Sequence, residues 1–207
     1  MPLDLRALVA PEHTALVLQE VQNGVVGPQS ALPALAEAAA AVNLVGNCAR
    51  LARAARAVGV TVLHCTAETR DDGRGANTNA RLFAGVKKSP VRLSPGSAAV
   101  QVPAEIGVDE RDLVLARYHG VGPMTGTQLD SILRNLGVTT IVGVGVSINI
   151  GMTNLAFDAV NRGYQVVMPR DAIAGVPADY AQAVVDNTLN LVATITTTDD
   201  VIAAWPG

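Results

Sequence analysis

The stretch TTIVGVGVSINIGMTNLAFDAVNRGYQVVMP, from Thr139 to Pro169, decides the fold class of this chain. It opens with an apolar run from Thr139 to Val146 that lacks polar alternation, which predicts a strand buried on both faces. A helical pattern follows from Ile150 to Arg162 and ends at Gly163, and Tyr164 to Met168 is the next predicted strand. Two strands joined through a helix predict a parallel pair with a crossover connection.

The same alternation of strands and helices continues on both sides of this stretch. The other predicted strands are Thr14 to Glu20, Val60 to Cys65, Asp112 to Tyr118 and Thr194 to Thr198. The other predicted helices are an apolar face from Leu44 to Val58, Thr127 to Leu136, and Ala178 to Ala193. The pattern predicts an α/β fold with three α-β-α layers and a mostly parallel sheet. Because no repeat or linker is visible, we expect a single domain over residues 1–207.

One long segment, from Ala67 to Glu110, does not follow this alternation. It contains GRGAN, two SP dipeptides and PGS, which favour turns and loops. A loop of this length in a compact domain is usually functional or forms a subunit contact.

The composition excludes several classes of protein. Hydrophobic residues make up 49% of the chain and charged residues 16%, against about 25% in a typical soluble domain. Such a chain is not intrinsically disordered, and its low charge predicts that another subunit covers part of its apolar surface. A net charge of −3 and an aromatic content of 3% argue against nucleic acid as a partner.

The sequence also predicts a cytoplasmic protein that does not enter a membrane. Its two cysteines, Cys48 and Cys65, are too few for a disulfide framework, and the first residues do not resemble a signal peptide. Residues 135–157 are uncharged and long enough to span a bilayer. Glycine and polar residues interrupt this stretch, however, so a buried strand, a loop and a helix start explain it better.

Chemically active side chains collect where the predicted strands end. Ligands in parallel sheets bind beyond the carboxyl ends of the strands, so these groups are expected to meet at one edge. In chain order they are Glu20, Gln22 and Asn23; His64, Cys65 and Glu68; Arg117, Tyr118 and His119; Ser147, Asn149 and Gly151; and Arg170 and Asp171. No metal-binding spacing or phosphate-binding glycine motif occurs, so we expect neither a metal nor a cofactor.

Several of these residues have more than one interpretation. Glu20 could transfer protons, or it could be a solvated or salt-bridged glutamate with Arg117 as its partner. Gly151 could present helix-start amides to a carboxylate or an oxyanion, or it could simply form a tight turn. Cys65 could be a reactive thiol, but a small buried residue is the simpler interpretation. His64 fits a core position, whereas His119 lies in a glycine-flanked loop and is the better functional candidate.

Three segments of the chain resemble the isochorismatase-like hydrolases, the superfamily that includes nicotinamidases and other cysteine amidohydrolases. TALVLQEVQNGVVG at residues 14–27 looks like its opening strand, and SPGSAAVQVPAEIG at 94–107 is similar to the segment before its third strand. Residues 125–175 resemble its most distinctive stretch. The resemblance covers roughly residues 11–205 and implies a parallel sheet with helices on both faces, commonly in dimers or tetramers.

This chain departs from the Asp, Lys and Cys that the resemblance implies for the amidohydrolase members. Glu20 stands at the Asp position and Gly151 at the Cys position, while the Lys position falls at Arg117, or at Tyr118 if the gap is placed one residue later. Without that thiol, the thioester route to amide hydrolysis is closed. The resemblance implies that true isochorismatases also carry glycine there and hydrolyse a vinyl ether without a covalent intermediate, but they keep the Asp and the Lys.

We therefore expect a hydrolase that acts on a small anionic substrate without a cysteine nucleophile. Glu20 is the expected acid or base, Arg117 binds the substrate or positions Glu20, and the amides around Ile150 and Gly151 hold negative charge. The residues expected to bind substrate are Gln22, Asn23, Glu68, Tyr118, His119, Asn149 and Ile150. Two alternatives stay open: an inactive family member that binds a small molecule or a protein partner, and a cysteine enzyme rebuilt around Cys65.

Overall fold

The computed structural model describes residues 4–206, apart from the side chain of Val86, and a seven-stranded sheet forms the centre of this range. Its strands are β1 (Thr14–Gln19), β2 (Thr61–Ala67), β3 (Leu113–Arg117), β4 (Thr140–Val146), β5 (Gln165–Pro169), β6 (Ile173–Ala174) and β7 (Thr194–Thr196). Six of them run in the order β3-β2-β1-β4-β5-β7, and the short β6 pairs with β4. The recorded strand pairs are all parallel, which confirms the predicted α/β class.

Helices cover both faces of this sheet. They are α1 (Leu5–Leu8), α2 (Asn23–Val26), α3 (Pro33–Ala41), α4 (Leu44–Ala57), α5 (Arg81–Val86), α6 (Leu129–Asn135), α7 (Thr153–Asn161), α8 (Ala178–Asn187) and α9 (Thr198–Ala204). Strand β1 shows how the two cores form, since its side chains alternate between faces. Leu16 and Leu18 pack with α3, α4 and α9, whereas Ala15 and Val17 pack with α6, α7 and α8.

Two predicted helices have different boundaries in the structure. The helix expected from Ile150 begins as α7 at Thr153, because a π-helical turn over Ile148–Met152 comes first. The helix expected to reach Ala193 ends with α8 at Asn187, and a short 3₁₀ turn follows. The alanine-rich α3 was not predicted, because its alanines form no apolar stripe. It is separated from α4 by Asn43, which takes the left-handed backbone conformation (φ 52°) that asparagine tolerates.

No helix within residues 4–206 is long and apolar enough to cross a membrane. The uncharged stretch at residues 135–157 consists of the end of α6, strand β4, the π-helical turn and the start of α7.

The long segment from Ala67 to Glu110 folds over the carboxyl edge of its own sheet. Thr69 N–H donates to Leu93 C=O (2.8 Å), which closes the segment on itself. Gly120 N–H donates to Asn77 Oδ1 (2.7 Å), which ties the segment to the loop after β3. The segment therefore contributes to the pocket of its own chain.

Candidate active site

Two neighbouring strands, β1 and β4, are followed by residues with a left-handed backbone. Glu20 has φ 53° and Ser147 has φ 65°, and neither is a glycine. This conformation is rare for such residues, and backbone strain of this kind tends to occur at functional sites. Both residues line the same pocket at the carboxyl edge of the sheet. The strain therefore marks this edge as the candidate site.

The pocket has a volume of about 130 Å³ and combines a charged floor with apolar sides. Glu20, Arg117 and Glu68 bring the charges from the ends of three strands. Leu82, Phe83 and Leu93, here called the apolar wall, come from the long segment. Such a mixture of apolar lining and a few convergent polar groups is typical of small-molecule sites.

Glu20 and Arg117 form an ion pair at the floor of the pocket. Arg117 Nη2 donates to Glu20 Oε1, and the two side chains are only 7% and 15% exposed respectively. Gln19 Nε2 donates to the same oxygen at 3.0 Å. Among the described residues no hydrogen bond reaches the second oxygen, Oε2. The described residues therefore hold the carboxylate through one oxygen only.

Gly151 is buried behind this ion pair and does not line the pocket. A Cβ atom at this position would lie 2.9 Å from Gln19 Nε2, and 3.3 Å and 3.4 Å from the carbonyl oxygens of Val121 and Val146. The side chain of Gln19 thus occupies the space that a side chain at 151 would need. Glycine at 151 makes room for Gln19, which sequence reasoning did not anticipate.

The amides near Gly151 are partly engaged within their own turn. Ile150 N–H donates to Ser147 C=O at 2.9 Å, and Met152 N–H donates to the same carbonyl at 3.1 Å. Ile150 still lines the pocket. The role expected for these amides, holding developing negative charge, stays a prediction that this hydrogen bonding does not favour.

The remaining predicted substrate-binding residues divide into two groups. Glu68, Tyr118 and His119 line the pocket. Gln22, Asn23 and Asn149 lie outside its lining, so substrate binding by these three stays a prediction without geometric support.

Gln22 instead clamps the end of β2. Its side chain accepts from Ala67 N–H at 2.7 Å and donates to Ala67 C=O at 2.9 Å. Asn23 donates its side-chain N–H to Ala98 C=O at 3.1 Å. The two residues therefore hold the long segment against the sheet, which positions the wall of the pocket.

Glu68 differs from Glu20 because it has no charged partner within residues 4–206. It follows β2, and its backbone N–H donates to Arg117 C=O at 2.9 Å. Burial raises the pKa of its half-buried carboxyl group above the ordinary value.

The cysteines and His64 lie in the core. Burial raises the pKa of the Cys65 thiol to about 12 and raises that of Cys48 as well, so neither is a thiolate near neutral pH. His64 Nε2 pairs with Asp112 Oδ2 at 3.0 Å, and Asp112 also accepts from Arg56. This arrangement argues against an enzyme rebuilt around Cys65. Over residues 4–206, no three His, Cys, Asp or Glu side chains are grouped to hold a metal ion.

Two contributions to the site were missed in the sequence. Gln19 carries a visible signal, a polar residue in a strand that is otherwise apolar (TALVLQ), and it is fully buried. The apolar wall carries no such signal, because the short helix α5 that holds Leu82 and Phe83 lies in a segment whose sequence predicts turns and loops, and Leu93 lies outside that helix.

Comparison with known proteins identifies the family. The profile of the isochorismatase domain matches residues 14–200. The chain belongs to the isochorismatase family. Within that family, it is 27% identical over 197 residues to YecD, an uncharacterised isochorismatase family protein of Escherichia coli O157:H7. That alignment covers 92% of this chain and 95% of the relative.

Solved structures of other proteins share the fold of this isochorismatase-family chain. An isochorismatase family protein from Burkholderia thailandensis is 30% identical, with a TM-score of 0.75 and coverage of 93% of this chain and 95% of the other. A cysteine hydrolase from Pseudomonas syringae pv. phaseolicola 1448A has a TM-score of 0.83 at 24% identity, with coverage of 95% and 94%. The second likeness concerns the fold alone.

Proposed function

We propose that this isochorismatase-family hydrolase cleaves a small molecule without a cysteine nucleophile, and that Glu20 transfers the proton. The observation that carries the proposal is the buried Glu20–Arg117 pair at a pocket with apolar sides, in which the described residues leave Glu20 Oε2 without a hydrogen-bond partner. The position where the amidohydrolase resemblance places a thiol is Gly151, and the two cysteines of the chain are buried with raised pKa values.

In the proposed reaction, Glu20 acts as a general base towards water. A water molecule bound at Oε2 loses a proton to Glu20 as its oxygen forms a bond to the electrophilic carbon of the substrate. The bond from that carbon to the leaving group then breaks, and the proton passes from Glu20 to the leaving group. A base must lie within hydrogen-bond reach of the proton it takes, so we place the water at Oε2, the oxygen that the described residues leave without a hydrogen-bond partner.

Arg117 positions Glu20 in this mechanism. Its Nη2 is already engaged by Glu20 Oε1, so its first task is to fix the orientation of the carboxylate. Gln19 supports the same orientation from the other side. We assign no step to the backbone of Gly151, because the side chain of Gln19 lies between Gly151 and the pocket.

The proposal is tested by turnover in ¹⁸O-labelled water. Purified protein is incubated with a panel of small amides and esters, and products are detected by mass spectrometry. We expect one class to yield a product with a single ¹⁸O atom, and we expect Glu20→Gln to lower that rate at least about 100-fold. The exposed Glu37→Gln is the matched control and should retain the parent rate.

Parent activity in Glu20→Gln would refute the role of Glu20. Ligands that raise the melting temperature without any turnover across the panel would instead support the family member that only binds.

We also propose that the chain forms a homodimer or homotetramer. Large apolar side chains exposed on the single chain support this proposal, among them Leu191 at 80%, Tyr180 at 55% and Val114 at 50%. Light scattering coupled to size exclusion should give two or four times the mass of one chain. A monomeric mass at micromolar concentration would contradict it.

A further inference from the structure

The charges that line the pocket do not favour an anionic ligand. Among the described residues that line it, Glu20 and Glu68 supply two carboxylates and Arg117 supplies the one guanidinium. Arg117 is paired with Glu20, which leaves Glu68 as the uncompensated charge. A carboxylate ligand would therefore meet a like charge with no free guanidinium to offset it, contrary to the anionic substrate expected from the sequence.

Glu68 is placed to recognise a cation. A carboxylate that loses water without gaining a partner is costly, and a cationic ligand removes that cost by pairing with it. Glu68 is half-buried at the pocket edge, and its backbone is fixed by the hydrogen bond to Arg117 C=O. The pocket thus offers a partly desolvated negative charge on a fixed backbone.

The apolar wall sets the size and polarity of the rest of the ligand. Leu82, Phe83 and Leu93 face the same space as Val25 and Leu32. The volume of about 130 Å³ is close to that of the engineered cavity of roughly 150 Å³ in another protein that holds a benzene ring. A body of about one ring would fill the space between the wall and the charged floor.

We propose that this pocket binds a small organic cation, with a protonated amine paired to Glu68 and a ring-sized apolar body against Leu82, Phe83 and Leu93. The inference deepens the proposed function and rests on it for the assignment of this pocket as the substrate site. It names the substrate class as a hydrolysable molecule that carries an amine.

Three probes of similar shape test the charge preference. Benzylamine, benzamide and benzoate are titrated by calorimetry or by ligand-observed NMR at pH 7.5 in 50 mM NaCl. We expect benzylamine to bind at least about tenfold more tightly than benzoate, since hydrogen bonds to charged groups are worth more than neutral ones. Equal or tighter binding of benzoate would overturn the proposal, as would no detectable binding of benzylamine at millimolar concentration.

Variants test whether Glu68 is the residue that causes the preference for a cationic ligand. Glu68→Gln should lower benzylamine affinity about tenfold and leave benzamide affinity nearly unchanged. Glu105→Gln, an exposed glutamate of the same long segment, is the matched control and should change neither. Benzylamine affinity that survives Glu68→Gln would overturn the assignment.

If Glu68→Gln fails to fold, the effect of salt on ligand binding by the unmodified protein tests the same ion pair. Raising NaCl from 50 to 500 mM should weaken benzylamine binding and leave benzamide binding unchanged, because salt screens the ion pair alone. Equal salt effects on both probes would overturn the proposal.

Binding and turnover fail separately in these experiments. The affinity ranking of the probes and the turnover are both measured in the parent protein. A loss of the ranking with turnover intact refutes the cation preference, whereas an intact ranking in a parent protein that turns over no member of the panel refutes the proposed hydrolysis.

Discussion

Replacing Gly151 with alanine tests how the site is packed. The new Cβ atom would lie 2.9 Å from Gln19 Nε2, which is too close, so one of the two must move. The far end of a glutamine usually moves at little cost. Gln19, however, is fully buried and its amide is bound to Glu20 Oε1, so movement breaks that hydrogen bond.

The size of the effect follows from two opposing contributions. A hydrogen bond to a charged group contributes about 1.5–3 kcal/mol to stability. Alanine is favoured over glycine in a helical turn by about 0.8–1.0 kcal/mol. We therefore expect Gly151→Ala to lower the free energy of unfolding by about 1 kcal/mol, which corresponds to roughly 2–4 °C in the melting temperature of a chain this long.

A double-mutant cycle with Gln19→Ala makes the test specific. In that background the hydrogen bond is already absent, so Gly151→Ala should be neutral or stabilising, limited by the carbonyls at 3.3 Å and 3.4 Å. Urea unfolding of the four proteins measures both steps. Equal destabilisation by Gly151→Ala in both backgrounds would show that Gln19 does not occupy the space at residue 151. For the same reason, Gly151→Cys should not create amidase activity.

Three further outcomes follow from other buried groups. Arg117→Met leaves Glu20 buried without its partner and should cost about 3 kcal/mol in urea unfolding; a loss below about 1 kcal/mol would mean that the pair is solvated. The two cysteines should resist Ellman's reagent in the native protein and react once it is unfolded, because burial raises their pKa values, and rapid native labelling would contradict this. Burial lowers the pKa of His64 below its ordinary value of 6.5. As the pH falls below about 6.5, His64 binds a proton in the unfolded chain before it does so in the folded protein, so the free energy of unfolding should decrease. Protonation of His64 should lower the free energy of unfolding by at most about 1.4 kcal/mol per pH unit, and this decrease should be absent in His64→Gln. A free energy of unfolding that rises towards pH 5.5 would contradict the buried position of His64.

The sheet could be predicted because each of its main strands is an apolar run with turn residues at its ends. The burial of β4 on both faces followed from TTIVGVGV alone. Helix boundaries were less predictable, because they depend on tertiary contacts. The turn over Ile148–Met152 widens into a π-helix where Thr153 Oγ1 donates to Ile148 C=O at 2.6 Å, and the sequence spacing does not encode that contact.

The charged residues of the candidate site could be predicted from the sequence. Glu20 follows β1 and Arg117 ends β3, two strands separated by β2 in one parallel sheet, so the topology alone brings their backbones to the same edge. The place of Gly151 behind Gln19 could not be predicted, since it depends on which way a single buried side chain points. The left-handed backbone conformation of Glu20 could not be predicted either, because the residue types in TALVLQE do not indicate a strained position.

The apolar wall and the ion pair lie on separate pieces of chain. Leu82, Phe83 and Leu93 belong to a segment that contributes no strand, whereas Glu20 and Arg117 are fixed by the sheet. Substrate selectivity and reactivity can therefore change independently of each other. A different segment between Ala67 and Glu110 would change which molecules the pocket accepts, while the reacting group keeps its position. Such modularity would let one scaffold explore new substrates during evolution while the ion pair stays in place.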